Sequence, residues 1–488
     1  MSTGSSLSRS PRIHEDGRQK ELSDSVPAGQ RPPDRDGTGL RPVLGRWQLL
    51  CIGIGAIIGS GIFVIPGPAA AQFAGPAIVI SFLIAALGCA LAGLCYAELS
   101  AMFPSAGSAY AFSSRAFGRV IGWLVGWLLL LEYLFAAAIV AQAFASYFGG
   151  LLNIADAASA ARVQAVLPVV VLAMTAGLAV RGIELSASIV SVIVLIKLGV
   201  VILVIACGAG YVNPQHWSPF LPHNTGHWGE YGWSGVLRGA GIVFYTFLGF
   251  DTVAVAAQEA RRPQRDVPFA LIGSLAVCTV LFIPLMFVMT GLVDYHALNV
   301  ANPVAVAMNA AGPRLQWVVR AVDIGATIGM VSVLLVILLA QSRILYVMAE
   351  DGLLPAPLGR LHARWQTPAV ATVLTAAVAA VLSMMLPISM LGQMVSIGVL
   401  TAFVAVALAV MVWRRKYPHL ARPFRTPWVP VVPVGAIVIC GYMAVGLPTA
   451  TWWRFGCWVV LGLLIYGAYG ARQRHLMAPP GGTRIKSE

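Results

Sequence analysis

The chain has 488 residues, of which 58% are hydrophobic and only 10% are charged. A soluble protein of this length needs more charged residues to cover its surface, so the composition excludes a soluble globular protein. The net charge of +13 would suit nucleic-acid binding only if the basic residues formed one face, and their distribution along the chain argues against that.

Residues 1–45 mix serine, proline, glycine and charges of both signs without an apolar period. This composition predicts a disordered cytoplasmic tail, and we expect no cleavable signal peptide. The seven cysteines all fall in apolar stretches further along the chain, which is typical of small buried residues rather than of a disulfide framework.

Twelve apolar runs follow, and a helix of about 20 residues crosses a bilayer. The runs lack the alternation of barrel strands, and only helices or closed barrels satisfy their backbone hydrogen bonds in lipid. We therefore predict an all-α polytopic membrane protein. Its predicted spans, numbered one to twelve in chain order, are residues 47–74, 77–98, 120–148, 165–180, 187–208, 236–258, 269–291, 317–346, 368–386, 390–413, 431–447 and 453–470.

Arginine and lysine concentrate in alternate loops between these spans, and the positive-inside rule assigns such loops to the cytoplasm. The other loops carry little besides Arg162 and Arg314. We therefore predict a multi-pass protein of the cell (inner) membrane with both termini in the cytoplasm. The basic residues of the predicted inner loops are Arg115, Arg119, Arg181, Arg261, Arg262, Arg265, Arg360, Arg364, Arg414, Arg415, Lys416, Arg422 and Arg425.

Span one contains "GIGAIIGSGIF", in which Gly59, Ser60 and Gly61 are consecutive and Pro66 and Pro68 follow. Taken alone, the glycines could form a small-xxx-small packing face, the role we expect for those at the start of the stretch. The cluster of glycine and proline is poor helix chemistry, so we predict that the helix unwinds here.

Span six shows a second interruption, because Gly249 lies near its centre and Asp251 follows two positions on. Interruptions in spans one and six imply two halves of five spans each, the pattern of transporters built from inverted repeats. We predict a transport core over residues 46–413, with halves 47–208 and 236–413. Residues 414–470 then hold a basic loop and spans eleven and twelve, and 471–488 form a cytoplasmic tail.

The broken helices predict the chemistry of a ligand. Free amides of Ser60, Gly61 and Ile62, at the positive end of a half-helix, suit a carboxylate. Unpaired carbonyls at the ends of the preceding half-helices, near Ile57 and over residues 245–248, suit an ammonium group. An α-amino acid carries both groups a few ångströms apart.

Six motifs resemble the amino acid, polyamine and organocation superfamily, and most closely its cationic amino acid transporter branch and bacterial relatives, and the resemblance covers about residue 44 to residue 470. The motifs are "GIGAIIGSGIFVIPG", "LEYLF", "VLIKLGVVIL", "FLGFDTVAVAAQEARRPQRDVP", "QSRILYVMAEDGLLP" and "RPFRTPWVPVVP".

The resemblance implies the LeuT-like fold of ten helices in a 5+5 inverted repeat, with two further C-terminal helices. It also implies a substrate site divided among the carboxylate, the amine and the side chain. The residues are Gly59, Ser60, Gly61 and Ile62 for the carboxylate, Ile57, Tyr245 and Leu248 for the amine, and Met330, Phe244 and Phe247 for the side-chain pocket.

Ionisable groups at bilayer depth are costly and are candidates for function. Lys197 lies ten residues into span five, and the resemblance implies that its amine occupies the place of sodium in sodium-coupled relatives. We expect it to couple proton movement to transport, the alternative being that it only holds unwound carbonyls. Glu132 is expected to partner a buried polar group or to serve packing, Asp251 to support the break in span six, and Asp323 to lie at the interface.

The resemblance places Met330 in the pocket, where branch members that carry long cationic substrates have a small residue. We therefore predict secondary active, proton-coupled uptake of small or medium neutral L-amino acids by alternating access. An exchanger of amino acids or polyamines, or a transporter of cationic amino acids such as arginine or lysine, are the alternatives. We expect no enzyme activity, cofactor, metal site or nucleic-acid partner. The sequence leaves the particular amino acid and the oligomeric state open.

Overall fold

The computed structural model describes residues 44–470, apart from residue 106 and residues 153–155 and 183–186. The two predicted tails therefore lie outside the described residues, except for Leu44 and Gly45 at the end of the first. The described chain folds into helices and loops, and Leu44 forms a single isolated bridge with Ala260. The prediction of an all-α polytopic membrane protein is confirmed.

Nine helices among the described residues are long and apolar enough to cross a membrane. They overlap predicted spans one to eight and span ten, because long apolar runs are a local signal that tertiary packing does not override. Span one ends at Val64 instead of residue 74, and Pro66 begins the helix of span two. Their bounds are Arg46–Val64, Pro66–Met102, Arg119–Leu152, Ala161–Val180, Ile189–Ala209, Gly232–Glu259, Pro263–Leu292, Pro313–Glu350 and Ile388–Lys416.

Three shorter helices lie where spans nine, eleven and twelve are predicted. Ala369–Met385 has 17 residues. Val431–Gly446 and Thr449–Ile465 have 16 and 17 residues, and this pair is bent by 112° at the break between them. That these three helices cross the membrane, and with it the total of twelve spans, stays a prediction.

Short helices complete the described chain in the loops. Ser108–Phe117 follows span two and Pro303–Ala310 precedes span eight. Single 3-10 turns lie at Pro214–Trp217, Tyr295–Leu298 and Ala356–Gly359.

Spans three and six form the centre of the helix bundle. In each, 89% of the most apolar window is buried, against 33% and 28% in spans four and five, which face outwards. The centre of span three reads "FAAAIVAQAFAS", and small residues of this kind let neighbouring helix backbones approach closely. The two central spans are therefore in position to contact most of the others.

The loop after span ten is fixed to the end of span two by the carboxylate of Glu98. Arg414 donates two hydrogen bonds to it, from Nε at 3.0 Å and from Nη2 at 2.7 Å. The backbone amide of Thr426 donates a third at 2.7 Å. Glu98 is 1% exposed, and three donors satisfy its buried carboxylate. Arg414 therefore has a structural role in addition to its predicted role in setting the orientation of the chain in the membrane.

Candidate functional site

Span one is broken into two helices, Arg46–Ile57 and Ser60–Val64. The amide of Gly59 donates to the carbonyl of Ile57 at 2.9 Å. In a regular helix it would donate to Gly55, four residues back. The interruption that the glycines predict is therefore present, and it lies at residues 58 and 59, at the start of the predicted stretch.

The second helix of span one begins at Ser60, so Ser60, Gly61 and Ile62 form its first turn. Amides of a first turn have no acceptor within their own helix. All three residues are buried, and the hydroxyl of Ser60 lies 3.0 Å from the hydroxyl of Tyr245 in span six. Their predicted role towards a carboxylate stays a prediction.

Span six is interrupted over residues 248–251. Its first helix, Gly232–Val243, tightens into a 3-10 turn at Phe244–Phe247, and a helix resumes at Thr252–Val255. Gly249 has a φ of 109°, a conformation that favours glycine because it has no Cβ. The predicted break at Gly249 is confirmed.

The two interruptions lie against each other. A β-carbon added to Gly249 would lie 2.8 Å from the carbonyl carbon of Ala56 in span one. A β-carbon added to Gly61 would lie 2.8 Å from the α-carbon of Thr246 in span six. Both distances are shorter than real contacts allow, so the crossing of the two broken helices requires glycine on each side.

Two of the three carbonyls proposed as acceptors for the substrate amine already accept a backbone hydrogen bond. The carbonyl of Ile57 accepts from Gly59, and that of Tyr245 accepts from the amide of Leu248 at 3.1 Å. The expectation that these carbonyls are free is therefore wrong, because the chain tightens at each helix end and satisfies them locally. Each carbonyl oxygen retains a second lone pair, which is still able to accept a donor.

Lys197 is fully buried, and its Nζ donates to the carbonyl of Gly55 at 2.7 Å. This is the carbonyl that loses its regular partner when Gly59 bonds elsewhere. Gly329 in span eight makes room for the lysine, since a β-carbon there would lie 2.8 Å from the Cε of Lys197. The ammonium group therefore lies at the end of the first half of span one.

Glu132 and Asp251 are both buried. Tyr133 donates to the Oδ2 of Asp251 at 2.7 Å. That Asp251 supports the break stays a prediction. Within the described part of the chain, Oε1 of Glu132 has no hydrogen-bond partner.

The three residues predicted for the side-chain pocket are buried but face different neighbours. Met330 is fully buried on span eight. The ring of Phe244 packs against Phe403 of span ten, with centroids 5.5 Å apart. Phe247 packs against Phe282 of span seven, with centroids 5.5 Å apart. Phe244 and Phe247 thus pack against different spans, and their place in a side-chain pocket stays a prediction.

Two residues near the break were missed in the sequence. Tyr147 donates from its hydroxyl to the carbonyl of Phe63 at 2.6 Å and so holds the second half of span one. Val333 lies against Gly59, where a β-carbon would be 3.1 Å from its Cγ2. In the sequence, the signal that could have pointed to Tyr147 is a tyrosine among small residues at the end of span three.

The segments before span one and after span six pair on the side of the basic loops. The amide of Leu44 donates to the carbonyl of Glu259, and the amide of Arg261 donates to the carbonyl of Leu44, both at 2.9 Å. Arg343 of span eight forms an ion pair with Glu259 at 2.7 Å. Spans one, six and eight are therefore linked at this end of the protein.

A polytopic membrane protein in which two interrupted helices cross, with a buried lysine at the crossing, has the architecture of a secondary transporter. The amino acid permease family matches residues 44–466. The chain belongs to this family.

Three relatives are informative. The methylthioribose transporter of Bacillus subtilis (strain 168) is 39% identical, over 89% of this chain and 94% of its own. The branched-chain amino acid permease BcaP of the same strain is 38% identical, over 94% of this chain and 98% of its own. The cationic amino acid transporter 3, mitochondrial, of Arabidopsis thaliana is 35% identical, over 76% of this chain and 62% of its own. The resemblance found in the motifs is thereby confirmed.

Proposed function

We propose that this protein is a secondary active transporter that takes up small or medium neutral L-amino acids together with protons. The observation that carries the proposal is the contact between the two helix breaks, at which first-turn amides of span one and carbonyls of span six come together. The name of the relative BcaP, a branched-chain amino acid permease, supports the same class of substrate.

The first turn after the break supplies the amides of Ser60, Gly61 and Ile62 for the substrate carboxylate, with Gly59 at its start. The carbonyls of Ile57, Tyr245 and Leu248 supply acceptors for the ammonium group. Amides and the positive end of a helix favour an anion, and carbonyl oxygens favour a cation. A zwitterion bridging the two breaks satisfies both sets of backbone groups.

Proton coupling rests on Lys197. Its Nζ bonds the Gly55 carbonyl at 2.7 Å. Loss of the lysine proton removes the charge from this contact and weakens the hold on span one. Glu132 and Asp251 support the opposite side of the crossing. In this proposal, protonation of Lys197 and the position of the first half of span one are linked.

Met330 sets the length of the side-chain pocket. Its neighbour Gly329 contacts Lys197, and Val333, one turn on, contacts Gly59. Methionine at this position leaves room for a side chain of valine or leucine size and excludes arginine. Phe244 and Phe247 are the remaining proposed pocket residues.

Methylthioribose uptake is a second candidate, since one relative carries that name. This sugar has neither a carboxylate nor an ammonium group, so it would leave the two sets of backbone groups without charged partners. Exchange of amino acids or polyamines, and uptake of arginine or lysine, are further alternatives.

We also propose that the basic loops and both termini lie in the cytoplasm and that the protein resides in the cell membrane, without choosing an oligomeric state.

The test has two stages. Thermal unfolding of the purified protein is measured with each amino acid and with methylthioribose, because a ligand of the folded state raises its apparent stability. Proteoliposomes without internal substrate are then given radiolabelled L-leucine and an inwardly directed proton gradient. We expect stabilisation by leucine, isoleucine or valine and accumulation of leucine.

Three outcomes would contradict the proposal. Stabilisation by arginine or lysine alone would assign the cationic class, and stabilisation by methylthioribose alone would assign the sugar. Uptake that requires internal amino acid would assign an exchanger.

A further inference from the structure

Exposed arginines lie side by side where spans one and seven begin, on the side of the basic loops. Leu44 forms a parallel bridge with Ala260, so the segments that lead into these two spans run in the same direction. Two residues further on, one helix begins at Arg46 and the other begins directly after Arg262. Arg265 lies in the first turn of the second helix. We call these three arginines the arginine cluster.

The guanidinium of Arg46 lies over two aromatic rings, one from each span. Its Cζ is 5.1 Å from the ring centroid of Trp47 and 5.8 Å from that of Phe269 in span seven. The two rings pack edge to face, with centroids 5.4 Å apart. The face of an aromatic ring attracts a cation, so the rings hold this arginine at the junction of the two spans.

The positive charge of the arginine cluster is not neutralised by the described part of the chain. None of its three arginines forms an ion pair there. Of the carboxylates nearby in the sequence, Asp266 is only 8% exposed, and Glu259 is paired with Arg343. The exposed guanidinium groups therefore present a positive surface to an anion.

The surface next to the arginine cluster is apolar. Trp47 is 60% exposed and Phe269 is 39% exposed. Ile272 and Val280 are also exposed, and they share a helix face with Phe269 because they follow it by about one and three turns. Aromatic side chains are enriched where lipid meets water. The arginine cluster thus lies at the level of lipid headgroups, and a soluble anion would leave the apolar face below it uncovered.

We infer that the arginine cluster binds the headgroup of an anionic phospholipid, whose acyl chains lie along the exposed face of span seven. Arginine matches the geometry of a phosphate with two parallel donors, and basic residues beside a membrane helix attract anionic lipids. A headgroup that contacts Arg46 and Arg262 joins the start of span one to the start of span seven. The bound lipid therefore stabilises the first half of span one against its neighbour.

The experiment titrates the purified full-length protein in detergent with phosphatidylglycerol and measures the lipid-bound fraction by native mass spectrometry. Phosphatidylcholine is the reference lipid. We expect one saturable site for phosphatidylglycerol in the wild type. Arg46→Gln should weaken its Kd about fivefold, and Arg46→Gln combined with Arg262→Gln about 25-fold, as expected for basic residues at an anionic membrane surface. Phosphatidylglycerol should also raise the apparent melting temperature of the wild type and not that of the double variant.

Two variants distinguish a defined site from diffuse attraction between charges. Trp47→Ala keeps the net charge and removes one of the two rings that hold Arg46, so it should weaken binding about twofold to fivefold. Arg360→Gln is the matched control, since it removes one charge from an exposed position in another basic loop. It should bind phosphatidylglycerol like the wild type. Equal weakening by Arg46→Gln and Arg360→Gln would overturn the inference in favour of diffuse attraction.

Two competitors test the class of ligand. Glycerol phosphate carries the phosphate without acyl chains, and at the concentration of phosphatidylglycerol it should not displace the lipid. Displacement would assign the arginine cluster to a soluble phosphate and overturn the inference. Phosphatidylcholine that binds as tightly as phosphatidylglycerol would also overturn it. None of these outcomes depends on leucine binding or uptake, so the lipid site and the proposed function fail separately.

Discussion

Lys197→Met offers the sharpest test of the proposed coupling. Methionine places an unbranched apolar side chain in this fully buried position and removes the charged Nζ of the lysine. It also removes the 2.7 Å hydrogen bond to the carbonyl of Gly55. A buried carbonyl left without a donor costs about 1–3 kcal/mol, which lowers the stability of the variant without unfolding it.

The transport consequence has a defined size. A proton that moves down a gradient of one pH unit releases about 1.4 kcal/mol, which at one proton per substrate supports about tenfold accumulation. Wild-type proteoliposomes are therefore expected to accumulate L-leucine about tenfold at that gradient. Lys197→Met proteoliposomes should only equilibrate leucine across the membrane, because no group at the break takes up the proton.

A purely structural role for Lys197 predicts a different result. If the lysine only holds span one, its loss impairs every mode of transport alike. Counterflow, in which external labelled leucine exchanges for internal unlabelled leucine, needs no proton gradient and should persist in Lys197→Met. Lys416→Met is the matched control, since Lys416 also donates to a backbone carbonyl, that of Ala116 at 3.4 Å. Unchanged gradient-driven accumulation in Lys197→Met would refute the coupling role.

Three further predictions follow from the crossing and from the ion pair between Arg343 and Glu259. Met330→Ser should lengthen the pocket, so that arginine and lysine compete with leucine for uptake; an unchanged competition profile would show that residue 330 lies outside the pocket. Gly249→Ala forces a non-glycine residue to a φ of 109° and should lower stability by about 1–3 kcal/mol. Gly199→Ala, where nothing lies within 4 Å of the added carbon, should instead be neutral or stabilising in thermal unfolding, and equal losses in both would contradict the crossing. Arg343→Glu should reduce uptake by placing like charges together, and adding Glu259→Arg should restore part of it; no restoration would mean that the ion pair between spans six and eight does not matter for uptake.

The breaks themselves could be predicted because their causes are local. Gly59, Gly61 and Gly249 weaken the helix wherever they stand, and Asp251 needs backbone donors close by. The positions of the spans follow equally from local apolar runs. These parts of the fold need no knowledge of which helix packs against which.

The details of the site could not be predicted because they depend on contacts between spans. Gly59 bonds Ile57 where the backbone of span one meets Gly249, and that contact is set by the crossing. The direction of Phe247 depends on the 3-10 turn, which rotates its ring towards span seven. Asp323 is buried, and its carboxylate lies near Gly150 of span three. Sequence spacing within one helix contains none of this information.

All four glycines of span one lie at close contacts between helices. The sequence suggested that the earlier glycines pack and the later ones bind. In the structure every one of the four approaches a different neighbouring span, and at Gly53, Gly55 and Gly61 an added β-carbon would lie under 3.0 Å from its neighbour. The contacts of an added β-carbon are Ser274 at 2.8 Å for Gly53, Val194 at 2.8 Å for Gly55, Val333 at 3.1 Å for Gly59 and Thr246 at 2.8 Å for Gly61.

These contacts explain why a transporter helix tolerates residues that weaken it. A helix that packs through glycine presents a smooth surface, without side chains that interlock with the neighbouring helix. Moving such a helix disrupts few interdigitated contacts, and its first half is instead held by a specific polar contact, Lys197 to Gly55. In the proposed mechanism the glycines therefore make span one easy to move, and the lysine makes its position depend on a proton.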